Sequence, residues 1–233
     1  MEGSTSSKNV SNYEMLAKYY DELLQDEEAL SLWLDYIEEE PFSSVLELAS
    51  GSGVMAGILS RKGYDIIASD LSIAMKEVSK SNFDGDYRII NMIDYHLDRK
   101  FDLILCICDS INYLEIDELD SFFRCAHEHL NDNGRLIFDM HSIKRIAEFK
   151  EQYIEEGIVL DTPYQWTIMS DEYDNLINEH FTFYTKDAMI QEHHTQNVFN
   201  KDVIKDKMSK LFDTRIIDDF IEDEKLLVVG RKK

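Results

Sequence analysis

Glu47 and Asp70 each end a short apolar run, and the turn Ala49-Ser50-Gly51-Ser52-Gly53 follows almost directly on the first. The segment Gly51-x-Gly53-x-x-Ala56 matches a dinucleotide pattern, in which glycines let a pyrophosphate approach a helix N-terminus. Glu47 opposes that reading, because a carboxylate at the strand end repels a pyrophosphate and attracts an ammonium group. Asp70 can accept both hydroxyls of a ribose lying across the strand ends, or it can cap the following helix, a role open to Ser72 as well. Together the two acids and the turn describe a nucleoside with a cationic tail and no phosphate.

Such a site needs strand ends lying side by side. Residues 12–39 show a helical stripe of Leu16, Tyr19, Tyr20, Leu23 and Leu24, then Leu30, Trp33, Leu34 and Ile37, with Pro41 as the stop. Strands are predicted at 44–48, 65–69, 87–91, 101–108 and 135–139. Helices are predicted at 54–62, closing on Gly63, at 73–82, and at 116–130 before the Asn131-Asp132-Asn133-Gly134 turn. Near-continuous apolar strands alternating with helices predict a parallel sheet covered on both faces, and right-handed crossovers make it doubly wound. After His141, residues 158–169, 176–185 and 189–199 alternate apolar and polar, as half-buried antiparallel strands do. A helix at 201–211 then leads to strands at 214–221 and 225–229, joined by an acidic turn. The expected fold is α/β, a doubly wound Rossmann-like mixed sheet of seven strands with helices on both faces, plus a small antiparallel β insertion after the fifth strand. The chain divides into a disordered tail at 1–11, a cofactor-binding core at 12–141, a lid or acceptor insertion at 142–200, and a segment at 201–233 that completes the sheet.

S-adenosylmethionine is a nucleoside of the kind described. The runs VLELASGSG, IIASDLSIAM, INMIDY, FDLILCICDSINYL and NGRLIFDMHS resemble, in order and spacing, the successive motifs of class I S-adenosylmethionine-dependent methyltransferases. The resemblance is nearest to small bacterial single-domain members that open with a Tyr-rich helix like YEMLAKYYDEL and carry an Asp-Ser-x-Asn-Tyr segment after the fourth strand. It implies that Glu47 holds the methionine ammonium, directly or through water, while the backbone at Ala49, Gly51 and Gly53 approaches the methionyl and ribose parts. Asp70 would bind the ribose hydroxyls, and Leu71 and Met92 would cover the two faces of adenine. Asn91 stands where an acid is usual; its side-chain oxygen would accept from the adenine amino group, or Asp94 would substitute. Cys108, Asp109 and Ser110 would line the methionyl end, and Tyr13 or Tyr20 would close over it. Ala49 replaces the usual first glycine, and its methyl is tolerable if φ stays negative. The implied cofactor is S-adenosylmethionine, leaving as S-adenosylhomocysteine.

A sulfonium already activates its methyl, so the protein must mainly align the acceptor and exclude water. A general base is needed only for an acceptor that arrives protonated, and His141, His193, His194, Tyr113 and Tyr184 are the candidates. Adjacent His193 and His194 point to opposite faces of a strand, so at most one meets the site. His141 also suits the cap of a following helix. Acceptor specificity is expected in the insertion, where Tyr164, Trp166, Phe181, Phe183 and Tyr184 either line a pocket or form a satellite core.

A formal net charge of −23, from 24 Lys+Arg and 47 Asp+Glu, opposes phosphate backbones, so no nucleic-acid partner is expected. With no apolar run long enough for a bilayer and no secretory signal in MEGSTSS, the expectation is a cytoplasmic protein without a membrane partner. Three cysteines without a CxxC pair give no disulfide framework and no metal site; Cys106 and Cys108, two apart, read as small core residues on one strand face. The expected partner is a small-molecule acceptor, and an amine suits so acidic a chain better than a phosphorylated compound. Two other readings compete: an NAD(P)-dependent oxidoreductase, opposed by Glu47 and the C-terminal strand hairpin, and a protein that keeps fold and cofactor without turnover. The acceptor and the oligomeric state are not written in the sequence.

Overall fold

The computed structural model describes residues 13–221 and 224–233. The tail expected at 1–11 and the acidic turn at 222–223 lie outside the described residues. The core strands are β1 (Ser44–Glu47), β2 (Asp65–Asp70), β3 (Asp86–Ile89), β4 (Phe101–Cys106) and β5 (Leu130–His141), joined by the helices α3 (Val54–Arg61), α4 (Ile73–Ser79) and α5 (Leu119–His129). α1 (Tyr20–Leu24) and α2 (Glu27–Ile37) precede them. α6 (Lys144–Glu148) leads into the insertion, β6 (Tyr153–Val159), β7 (Thr162–Asp171), β8 (Leu176–Tyr184) and β9 (Met189–Asn197). α7 (Lys201–Met208), β10 (Phe212–Phe220) and β11 (Lys225–Lys232) return to the core.

The seven-stranded sheet has the order β10-β11-β5-β4-β1-β2-β3, and β11 alone runs against its neighbours. The expected doubly wound mixed sheet is therefore present. Its central strands are apolar on both faces because helices cover both. Leu46, Ile104 and Phe138 pack with Phe122 and Phe123 of α5 and Met208 of α7. Val45, Leu103 and Leu105 pack with Trp33 of α2 and Met55 and Leu59 of α3. Each of these buried side chains contributes roughly 1.5–3 kcal/mol. β1 lies between β4 and β2, where the strand order reverses, so the crevice for a ligand opens beyond the C-terminal ends of β1, β2 and β4.

Three local readings change. The stripe at 12–39 is not one helix: a 3₁₀ turn (Leu16–Tyr19) passes into α1, Gln25 is extended, and α2 begins afresh and ends at Ile37, before Pro41. Asp26 causes the restart, because its carboxylate accepts from the N–H groups of Glu28 (2.8 Å) and Ala29 (3.1 Å) and so caps a new helix. Residues 158–169 are not one strand either. Leu160 and Asp161 take left-handed φ of 45° and 66° and turn the chain between β6 and β7, giving a four-stranded sheet. Neither residue is a glycine or asparagine, so nothing in composition announces a two-residue hairpin turn there. Finally, β4 ends at Cys106. Cys108 lies beyond it at φ 59° and is exposed, so the two cysteines share no strand face.

The segment before α2 works as a strap. Glu192 of β9 accepts from the N–H groups of Met15 (2.5 Å) and Leu16 (3.1 Å). Tyr19 stacks on Phe183 at 5.1 Å between ring centres, and Asp21 bonds the Ser52 hydroxyl and Asn82 Nδ2. One short segment thus joins the insertion to the glycine-bearing turn. Among the described residues no helix is long and apolar enough to cross a membrane.

Candidate active site

The turn after β1 carries three left-handed residues, Ala49 (φ 51°), Gly51 (φ 54°) and Gly53 (φ 75°). Ala49 thus does not keep the negative φ its methyl group would favour. The turn geometry demands the left-handed region, which costs a residue with a Cβ roughly 1–2 kcal/mol. Ala49→Gly is therefore expected to raise unfolding stability by about 1 kcal/mol in urea titrations. A decrease would show that the methyl group packs well enough to outweigh the strain.

Asp70 ends β2 beside this turn. Its Oδ2 accepts from Gly51 N–H at 3.0 Å and its Oδ1 from Ser72 N–H at 2.8 Å. Each oxygen keeps a free lone pair, enough for the two hydroxyls of a ribose. Burial pushes the Asp70 carboxyl upward, and the backbone donors pull against it. Ser72 caps α4 by accepting from Met75 N–H at 3.2 Å, so the cap is Ser72 and Asp70 stays directed at the crevice. Glu47 is 1% exposed and accepts from the Ser50 hydroxyl at 2.7 Å. Burial pushes its carboxyl up to about 7. It lies behind the turn and outside the cavity wall.

The cavity itself, about 230 Å³, is lined by Tyr13, Tyr20, Gly51, Asp70, Leu71 and Met92 among others. Leu71 is 43% exposed, unusual for so large an apolar side chain, and with Met92, Ile90 and Ile93 it makes an apolar slot beside the Asp70 carboxylate. Asn91 lines the same slot, but its Oδ1 already accepts from Ile93 N–H at 3.2 Å; Asp94 is exposed and outside the lining. A Cβ at Gly51 would stand 3.8 Å from the Tyr20 ring, so that ring roofs the turn. No Lys or Arg is among the lining residues. A carboxylate, an apolar slot and no cation suit a nucleoside without phosphate, and fit S-adenosylmethionine.

Beyond the end of β4 the backbone is strained. Cys108 and Asp109 are consecutive left-handed residues, at φ 59° and 49°. Ser110, which opens the 3₁₀ turn Ser110–Tyr113, lines the cavity, whereas Cys108 and Asp109 do not. Asp109 turns into a buried network instead. It pairs with Lys225 of β11 and accepts from Gln196 Nε2 of β9 at 2.9 Å, while its N–H donates to Asp139 Oδ1 at 2.9 Å. Lys225 also lies 3.3 Å from Asp139. Burial alone would raise the Asp109 carboxyl, but Lys225 and then His141 outweigh it and hold it well below the usual range. Sequence reasoning did not single out Lys225, Gln196 or Glu192. Period-two alternation from His194 could have placed Glu192 and Gln196 on the inner face, but nothing local marks Lys225.

The base candidates separate cleanly. Tyr13 donates to the Tyr113 hydroxyl at 2.7 Å, and both line the cavity. His194 points inward, its ring 4.5 Å from that of Tyr13, and its Nε2 is buried without a hydrogen-bond partner. His193 lies on the outer face, its Nδ1 3.0 Å from that of His180. His141 is buried behind Asp109 with its Nε2 2.8 Å from Gln196 Oε1, outside the cavity lining. Tyr184 is half exposed on the outer face as well, opposite Met189. Trp166, Phe181 and Phe183 pack as satellite clusters beneath the inner face. Among the described residues no group of three His, Cys, Asp or Glu side chains is placed to hold a metal ion.

A seven-stranded sheet with one reversed strand, a glycine-bearing turn after β1 and a cavity-lining acid at the end of β2 fit the class I S-adenosylmethionine-dependent methyltransferases. Residues 16–197 match the family model described as a methyltransferase domain, and the chain belongs to that family. A candidate methyltransferase of Geobacillus sp. (strain WCH70) is 24% identical over 211 residues, covering 83% of this chain and 85% of its own length. An S-adenosylmethionine-dependent methyltransferase from Clostridium acetobutylicum ATCC 824 shares the fold with a TM-score of 0.79 at 22% identity, over 94% of this chain and 98% of that one. The sugar N-methyltransferase KedS8 from Streptoalloteichus sp ATCC 53650 does so with a TM-score of 0.81 at 19% identity, over 100% and 98%. The family match sets the oxidoreductase reading aside.

Proposed function

We propose that this methyltransferase moves the methyl group of S-adenosylmethionine to an amine nitrogen of a small acceptor held beneath the insertion. The observation that carries the reading is the charge of the acceptor end. The cations there are already engaged, Lys225 by Asp109 and Asp139, and Arg145 by Glu148 and Glu224. Among the described residues a phosphorylated or carboxylate acceptor would find no unengaged cation there, whereas an ammonium group meets hydroxyls, an imidazole and carboxylates. The likeness to a sugar N-methyltransferase agrees with that choice.

Bound S-adenosylmethionine supplies a methyl group already activated on a sulfonium. In this reading Asp70 holds the ribose hydroxyls, Leu71 and Met92 sandwich the adenine, Asn91 meets its edge, and Glu47 neutralises the ammonium through the turn or a water. Ala49, Gly51 and Ser110 give backbone and hydroxyl contacts, and Tyr13 and Tyr20 close the cavity and exclude water. Burial holds the Tyr13 and Tyr113 phenols well above their usual range, so they remain protonated and orient the acceptor by hydrogen bonds.

The test is release of S-adenosylhomocysteine from a panel of aminohexoses and small primary and secondary amines, each beside its hydroxyl and phosphorylated analogue. Turnover is expected with amines, rising with pH toward the pKa of the bound acceptor. Turnover confined to hydroxyl or phosphorylated compounds would overturn the reading.

A further inference from the structure

The inner face of the insertion carries a polar side chain that has no structural task among the described residues. On β8 that face presents Ile177, Glu179, Phe181 and Phe183, three buried apolar residues and one half-buried carboxylate. The inward polar residues of β9 are accounted for in part: Glu192 holds the strap, and Gln196 joins Asp109 to His141. Glu179 makes no side-chain hydrogen bond or ion pair among the described residues. It stands directly opposite His194 in the β8–β9 register. The His194 Nε2, buried without a hydrogen bond and 3.9 Å from Glu192 Oε2, belongs to the ring that packs against Tyr13 and Tyr113. Tyr13 and Tyr113, whose hydroxyls bond each other at the cavity wall, lie within the electrostatic reach of Glu179. A half-buried carboxylate with no protein partner, across the strand pair from an imidazole that packs on two phenols, is one that a cationic ligand would complete.

We propose that Glu179 is the carboxylate that receives the acceptor, pairing with its ammonium group and taking one proton from it before methyl transfer. The inference rests on the amine reading above. The acceptor R–NH₃⁺ gives a proton to the Glu179 carboxylate and becomes R–NH₂. Its nitrogen lone pair then forms the bond to the methyl carbon while the carbon–sulfur bond breaks, and that bond's electron pair returns to sulfur as a neutral thioether. The product leaves as R–NH₂⁺–CH₃, and the proton on Glu179 passes to solvent. No oxidant or further reactant enters. The groups facing Glu179 suit the exchange. Burial first, and Asp109 second, push its carboxyl up to about 7, against the pull of Arg145 on α6 and Lys225 on β11. His194 on β9, Tyr113 in the 3₁₀ turn and Tyr13 in the strap complete its surroundings. A carboxyl poised there can accept a proton and release it again near neutral pH.

The amine panel, run on the full chain with Glu179→Gln, Glu179→Asp and His194→Gln, tests this. Glu179→Gln is expected to lower kcat/KM for the best amine at least 100-fold at pH 7, with S-adenosylmethionine affinity by calorimetry within threefold of the parent. Its residual rate is expected to climb with pH without the inflection near pH 7 that the parent shows. Glu179→Asp, which keeps the charge, is expected to recover at least a tenth of the parent rate. An amine turned over equally by Glu179→Gln and by the parent, with the inflection unchanged, overturns the role of Glu179 and leaves the amine reading standing. Loss of the inflection in His194→Gln but not in Glu179→Gln does the same. Turnover of hydroxyl compounds alone by the parent overturns both.

Discussion

Asp70→Ala is expected to weaken S-adenosylmethionine binding at least 100-fold. The carboxylate is held by Gly51 and Ser72 N–H groups and lines the cavity, leaving a lone pair on each oxygen for the ribose. Hydrogen bonds to a charged group contribute roughly 1.5–3 kcal/mol each, so losing two removes about 3 kcal/mol or more. Because Asp70 also braces the turn, Asp70→Asn is the companion variant. It keeps one acceptor oxygen and should retain most of the stability while losing part of the affinity. Calorimetry showing parent-like affinity in a folded Asp70→Ala protein would sink the assignment. A second ligand, 5′-methylthioadenosine, separates the two acids. It has the ribose but no amino-acid tail, so Asp70→Ala should weaken both ligands, whereas Glu47→Gln should weaken S-adenosylmethionine alone. Equal losses in Glu47→Gln would make Glu47 a brace for the turn through Ser50. The pH dependence follows from burial, which raises the Glu47 carboxyl to about 7. The native state then holds that proton more tightly than the unfolded chain, so the Glu47 contribution to stability falls as pH rises from about 4.5 to about 7. An ammonium ligand favours the ionised form, so S-adenosylmethionine affinity should drop below pH 7, and this dependence should vanish in Glu47→Gln.

Lys225→Met is expected to carry the largest cost in stability, about 3–5 kcal/mol, because it leaves Asp109 and Asp139 buried together without a counter-charge. Lys225 sits at the start of β11 and meets both carboxylates where β4 and β5 end. Burial pulls its ammonium down, but Asp109 and then Asp139 outweigh that and raise it well above its usual value. Its contribution is therefore complete below about pH 10 and fades only as pH rises through that elevated value. In the variant the sign reverses: the stranded carboxyls must take up protons, so urea denaturation should show stability recovering as pH falls from 7 toward 5. Asp109→Asn combined with Asp139→Asn should restore much of the loss in the Lys225→Met background, since the uncompensated charges are then gone. A loss below 1 kcal/mol in the single variant would show that the network is wet and weakly coupled.

The turn and the two acids proposed for the donor half of the site were legible because they are local. Glu47, Asp70 and the turn stand where strands end, and a strand's end can be read from where its apolar run stops. Fold class followed for the same reason, since β1, β2, β4 and the second half of β5 are mainly apolar runs and the helices between them carry one apolar stripe. The failures were also local, and each has a cause. Asp26 recapped a helix inside an unbroken stripe, and Leu160-Asp161 turned a hairpin without the residues that usually mark one. The left-handed Ala49 shows a turn imposing its geometry on a residue that composition would not choose.

By itself, then, the sequence determined the doubly wound core, the glycine-bearing turn with its two acids, and the fact that His193 and His194 point opposite ways. Those rest on period, charge and chain order, which need no knowledge of what packs where. Only the tertiary structure decided that His194 is the inward one, that Glu179 stands across from it, and that Lys225 lies between Asp109 and Asp139. Glu179 and His194 meet across the β8–β9 register of the four-stranded sheet, and Lys225 meets Asp139 across the β11–β5 pairing of the seven-stranded one. A one-residue shift of a strand in either pairing would send that strand's side chains to the opposite face.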